Sequence, residues 1–422
     1  MTRHNEGQGI QEKANTLKTP NQPTTHTMNS AIFFKTLKET LIAYSFDFGG
    51  LLAGFVLAAQ LNVFQLSQWA IAVYPAIVSA KGVIGGLLSG RLSTALHIGT
   101  VYPRFFGNTR SFYTLCAALT VITLATSVAM SLVSLVFGLL FWGITIADFL
   151  TILRVVVATM ALGLFLTLVT VKVAFITFEK GLDPDVVVYP IMSTTADIFI
   201  TLCYVLVLNL TYLSDFGQHV VSLVVLLHVV LILYILPRNI HDKEFLKTMR
   251  ESLLTMTLVA FIVNVTGTVL KRISIVVEER KEIYTVYPAL IDMVGDVGSV
   301  VGSTATTKLA LGLLRPYLSA MKNHAMQILS AWTASVIMFV LLAVSSLLMN
   351  NILTPYGLMG LASVLLVTNL IAVAAIVLVS FIVAIITFQR GLDPDNFVIP
   401  IESSLADSMT SIALLVGLML VE

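Results

Sequence analysis

Val73-Tyr74-Pro75-Ala76 sits in a long apolar run and returns as Val286-Tyr287-Pro288-Ala289, an offset of 213 residues (73 to 286). At that same offset Gly82, Gly85, Thr94, Gly99 and Pro103 return as Gly295, Gly298, Thr307, Gly312 and Pro316. Further along, Gly181-Leu182-Asp183-Pro184-Asp185 returns as Gly391-Leu392-Asp393-Pro394-Asp395, now offset by 210 (181 to 391). Pro190, Ser193 and Asp197 follow as Pro400, Ser403 and Asp407. So many positions recurring in order mark an internal duplication, which has to be read before any single element.

The duplicated material is apolar nearly throughout. Charged residues make up 11% of the chain and hydrophobic residues 57%, whereas a soluble domain carries about 25% charge. Runs of spanning length, about 20 residues, recur along the chain, which places it in a lipid bilayer. A net charge of +1 gives no reason to expect nucleic acid or an acidic partner. Cys116 and Cys203, the only cysteines, lie within apolar runs and read as small buried hydrophobes. Residues 1–37 begin polar and lack the short apolar core of a cleavable signal, so they read as a disordered cytosolic tail.

Eleven apolar spans are expected between residues 38 and 420, giving an all-α membrane protein. The first five-helix repeat covers 38–210, a linker with one helix covers 211–250, and the second repeat covers 251–422. Five spans per copy would invert the second copy if the copies were joined directly. The sixth run, 219–237, has no counterpart and restores the direction. The repeats are therefore expected to be parallel, related by an axis along the membrane normal, as a pseudo-dimer within one chain. Lys35, Lys38, Arg104, Arg110, Lys180 and Arg390 all fall on the side of the N-terminus. The positive-inside rule then gives a cytosolic N-terminus and an external C-terminus.

Ionisable groups within spans cost at least a few kcal/mol each and usually face a cavity or a partner. The acidic set is Asp47, Asp197, Asp292, Asp296, Glu402 and Asp407; the basic set is Lys81, Arg91, Lys172 and Lys308. Duplication reproduces Asp197 as Asp407. Ser193 and Thr194 lie one turn before the first, Ser403 and Ser404 one turn before the second. A carboxylate with hydroxyls above it is a hard-oxygen set that suits Mg²⁺, Ca²⁺ or Mn²⁺. The bland alternative is that the hydroxyls bond back to their own helix. Asp292 and Asp296 share a helix face, while the first copy has Ser79 and Val83 there. The glycines of the second helix read as close-packing positions, or as a broken helix opening carbonyls to a pore. Asp183 and Asp393 before proline read as helix N-terminal caps.

On these residues the chain resembles solute carrier family 41 and its bacterial relatives, the MgtE magnesium channels. The resemblance rests on Lys81-Gly82 followed by Ser89-Gly90-Arg91-Leu92-Ser93-Thr94-Ala95, and on both Gly-Leu-Asp-Pro-Asp elements with their downstream Asp197 and Asp407. It implies Mg²⁺ transport through a pore between two five-helix units, with the fifth-helix aspartate as main ion ligand. The family's Gly-Asn element of the second helix reads Gly82-Val83 here in one copy and Gly295-Asp296 in the other. The expected site is thus Asp197, Asp407, Asp296 and Asp292 with Ser193, Ser403, Thr194 and Ser404. The metal is cargo rather than cofactor, and no enzymatic activity is expected. A Na⁺- or H⁺-coupled cation exchanger is the alternative within transport. The rival from another class is an intramembrane aspartyl protease. Its Gly-x-Gly-Asp signature is absent, because Met293-Val294-Gly295-Asp296 lacks the first glycine.

Overall fold

The computed structural model describes residues 25–180, 184–390 and 394–421, and among these every regular element is helical. α1 (Thr25–Tyr44) passes through a 3₁₀ turn (Ser45–Gly49) into α2 (Gly50–Ala59), together one crossing. α3 (Ala70–Ile98), α4 (Arg110–Phe137), α5 (Phe149–Glu179) and α6 (Pro184–Tyr212) follow. α7 (Asp215–Asn239) is the unpaired sixth crossing. α8 (Lys243–Val277), α9 (Lys281–Ala310), α10 (Ala325–Met349), α11 (Pro355–Gln389) and α12 (Pro394–Val421) complete the chain. All but α9 lie in segments long and apolar enough to cross a bilayer. α9 has the length but carries Lys281, Glu282, Asp292, Asp296 and Lys308. The protein is an all-α integral membrane protein.

Local chemistry fixes the helix ends. Thr109, Ser214, Asp242 and Thr354 each accept a hydrogen bond from a first-turn N–H of the helix that follows, which satisfies an otherwise orphaned donor. At Asp242 the Glu244 N–H, helped by the Phe245 N–H and Arg110, holds the carboxyl below its ordinary range. The repeated Gly99 and Gly312 lie just past α3 and α9 with φ of 78° and 69°, a left-handed conformation that favours glycine. α6 and α12 begin at the repeated Pro184 and Pro394, where the missing N–H costs nothing. Asp183 and Asp393 lie outside the described residues, as do the side chains of Asp185, Asp395 and Glu402. The first helix begins at Thr25, ahead of residue 38 where the first span was expected. Residues 1–24 of the expected tail lie outside the described residues.

The packing exchanges elements between the halves. α2 packs on α9 and α1 on α10, while α8 packs on α3 and α4. The first crossing of each repeat thus lies against the second and third helices of the other. Two glycines make this possible. A Cβ on Gly54 would collide with the Thr285 carbonyl oxygen, and one on Gly267 would collide with the Ala72 carbonyl oxygen. Both members of one contact carry over to the other at an offset of 213 (54 to 267, 72 to 285). A reciprocal contact of this kind is what a two-fold relation between halves produces. α7 packs chiefly on α4, α5 and α6, at the edge of the first half.

Gly54→Ala and Gly267→Ala should each destabilise the fold by about 1–3 kcal/mol, the usual cost of overpacking. Gly82→Ala, whose Cβ would meet no atom within 4 Å, should leave the melting temperature unchanged. Thermal melts of the three variants in one detergent test this, and equal stability for all three would contradict the close-approach assignment. Because α2 and α8 are separated by an even number of crossings, cysteines at the exposed Gln65 and Glu279 should be labelled from the same face. Labelling from opposite faces by an impermeant maleimide would refute the parallel arrangement.

Candidate ion site

The aspartates anticipated from the duplication come together where the halves meet. Asp197 on α6 and Asp407 on α12 are 5% and 7% exposed and lie in each other's electrostatic field. Each is fixed from one turn below. The Thr201 hydroxyl donates to the Asp197 carbonyl at 2.6 Å and the Ser411 hydroxyl donates to the Asp407 carbonyl at 2.7 Å. Since those hydroxyls are spent as donors, Tyr74 donates to Thr201 at 2.9 Å and Tyr287 to Ser411 at 2.8 Å. The repeated tyrosine of Val-Tyr-Pro-Ala therefore ties the second helix to the fifth in each copy, beneath the aspartate.

Across the halves the pairing is again reciprocal. Ser79 on α3 donates to Asp407 Oδ2 at 2.6 Å. Its repeat equivalent on α9 is Asp292 (79 to 292), and Asp292 shares a side-chain hydrogen bond with Asp197. Two carboxyl groups at that distance need a proton or a cation between them. Asp47, in the 3₁₀ turn of the first crossing, has Asp296, Asp292 and Asp197 as its electrostatic neighbours. Asp47, Asp197, Asp292, Asp296 and Asp407 thus form one connected group, with no Lys or Arg among the neighbours that perturb them. Among the described residues no three His, Cys, Asp or Glu side chains are arranged to surround a single metal. A set of this kind offers one or two carboxylates at a time to a hard cation.

The expected hydroxyls lie on the same helices as Asp197 and Asp407, within about a turn of them. Ser193 lines a separate cleft. Thr194 donates to the Phe46 carbonyl at 3.4 Å, with its methyl group filling the space above Gly49. Ser404 is buried, its carbonyl accepting from Ser408 at 3.3 Å. Ser403 is half-buried. Ser79 does reach an aspartate, and its signal in the sequence was its place at the repeat position of Asp292. Tyr44, buried beside Asp296 and Asp47, carried no signal.

In the second copy Gly295 packs on α12, where a built Cβ would meet Ala406 at 3.8 Å; the first copy differs. α3 runs unbroken from Ala70 to Ile98, and Gly82, Gly85 and Gly90 have no atom within 4 Å of a built Cβ. Instead of packing a neighbour, Gly82 and Gly85 border a cleft of about 30 Å³ with Lys81, Ser89, Thr170 and Ser193, room for a water or two. The Lys81 ammonium is buried there without a hydrogen-bond partner, and its electrostatic neighbour is Cys203 rather than an aspartate. A 3₁₀ turn falls in the first crossing at Ser45–Gly49, and a π turn ends the third at Gly138–Trp142.

The profile of the MgtE family, described as divalent cation transporters, matches residues 74–207 and 287–417, more than half of the chain. The chain belongs to the MgtE family. Its two matched regions coincide with the two copies of the duplication, each opening on the Tyr-Pro pair and containing one of Asp197 and Asp407. No curated protein and no solved structure matches this MgtE-family chain. The family transports divalent cations and is not enzymatic.

Asp296→Val copies the first half at its equivalent position, Val83 (83 to 296). Expression and folding should be retained, while the preference among Mg²⁺, Mn²⁺ and Ca²⁺ in proteoliposome flux should change by about tenfold, one well-made charged contact. Unchanged preference would reduce Asp296 to a structural partner.

Proposed function

We propose that this protein carries Mg²⁺ across the membrane along a path between its two halves, with Asp197 and Asp407 as paired ligands. The observation that carries the proposal is the reciprocal pairing of Ser79 with Asp407 and of Asp292 with Asp197. It supports the reading because each buried fifth-helix carboxylate is met by the second helix of the opposite half. A lone carboxylate in an apolar span is costly, and a divalent ion between two of them offsets both charges. Asp292 and Asp296 enter from the second half alone, which makes the path chemically unequal along its two walls. Ser193, Thr194, Ser403 and Ser404, a turn before the pair, are the further oxygen ligands of this reading. The two halves act as a pseudo-dimer, with the N-terminus cytosolic and the C-terminus external.

Asp197→Asn and Asp407→Asn keep shape and remove charge. Each should lower Mg²⁺ flux into proteoliposomes at least tenfold, while the protein remains monodisperse. Because protons and metal compete for the same oxygens, wild-type flux should also fall as the pH is lowered. Repeating the assay with and without Na⁺ or pH gradients separates passive from coupled transport. Wild-type flux in both variants would overturn the paired-ligand reading.

A further inference from the structure

The first crossing brings together three groups that the paired aspartates do not account for. Tyr44 is fully buried and its hydroxyl has no hydrogen-bond partner. Asp47, three residues on, is 6% exposed and its Oδ2 likewise has no partner. The groups in whose field Tyr44 lies are Asp296 and Asp47, and the first electrostatic neighbour of Asp47 is Asp296. A phenol and two carboxyls therefore converge where the first crossing tightens to a 3₁₀ turn at Ser45–Gly49, packed against α9.

A shared proton does not satisfy this arrangement. It could bridge Asp47 and Asp296, but the Tyr44 oxygen and the second oxygen of Asp47 would remain bare. A cation between them draws on all three groups at once. Interrupted helices in transporters place ion sites in just such positions. The arrangement is also one-sided. At the repeat offset Tyr44, Asp47 and Asp296 correspond to Thr257, Ala260 and Val83 (44 to 257, 47 to 260, 83 to 296). The duplication supplied no second copy, so these groups are distinct from the symmetric pair Asp197 and Asp407.

We propose that Tyr44, Asp47 and Asp296 form a second cation site, beside the Asp197 and Asp407 pair, for a small hard cation. With two carboxylates and a neutral phenol the site takes either Na⁺ or a second divalent ion, and the experiment distinguishes them. It shares the transport reading of the protein but not the Asp197 and Asp407 ligands.

The test is equilibrium dialysis of the full-length protein in nanodiscs against radioactive Mn²⁺, standing in for Mg²⁺, and separately against radioactive Na⁺. Wild type, Asp47→Asn, Asp47→Glu, Tyr44→Phe and the double variant Asp197→Asn/Asp407→Asn are compared. Asp47→Asn should lose one bound ion per protein. Loss of Na⁺ identifies a monovalent site, and loss of one of two Mn²⁺ identifies a divalent one. Tyr44→Phe should weaken the same ion by about tenfold, and Asp47→Glu should retain it, which keeps the test decisive if Asp47→Asn folds poorly. Unchanged stoichiometry and affinity for both ions in Asp47→Asn and Tyr44→Phe would overturn the proposal. If instead the double variant binds as wild type while Asp47→Asn loses its ion, the paired-aspartate reading fails and this one stands.

Discussion

The close approach of each first crossing to the second helix of the other half is the contact on which the rest depends. Lipid tails are as apolar as the helices, so the hydrophobic effect does little to hold such helices together. What remains is tight backbone packing and buried hydrogen bonds. Gly54 against Thr285 and Gly267 against Ala72 supply the first. Without them α2 and α8 would stand off from α9 and α3, and the two halves would lose the exchange of helices that joins them.

That exchange explains how the carboxylates meet. The fifth helices α6 and α12 carry the buried Asp197 and Asp407, and the second helices α3 and α9 each present an equivalent side chain to the aspartate of the other half. One such pair is neutral against charged, Ser79 with Asp407; the other is carboxyl against carboxyl, Asp292 with Asp197. The duplicated tyrosines hold the backbone beneath both aspartates through a hydroxyl relay. The scaffold of the site is therefore symmetric to the level of single hydrogen bonds, while its charge is not. Within the connected group, the aspartates beyond the repeated pair belong to the first crossing and α9. Their repeat equivalents on α8 and α3, Ala260, Ser79 and Val83, are uncharged.

Lys81 belongs to neither interface. Its ammonium is buried in the cleft beside α3, near Cys203 and away from the aspartates. The open space beside Gly82 and Gly85 lets that side chain and a water or two share the cleft. Glycine here makes room rather than contact, the opposite of its role at Gly54 and Gly267. Residue type alone did not separate the two uses.

Much of this was legible in the chain itself. Hydropathy gave the helices because a bilayer offers backbone groups no other partner. The ordered recurrence at offsets of 213 and then 210 revealed the duplication, and the repeat of Asp197 as Asp407 the candidate pair. Cap and stop residues such as Thr109, Ser214, Gly99 and Pro184 act within a turn of themselves, so they too could be read locally. What the sequence left open were relations between helices far apart in the chain. Whether Ser193 or Ser79 would reach an aspartate depends on helix rotation, which packing against neighbours decides. The glycines at 82 and 85 have their meaning from an empty space that no local pattern encodes. Tyr44 and Asp47 are one turn apart in sequence, but their relation to Asp296 exists only because α2 crosses to the other half and packs on α9.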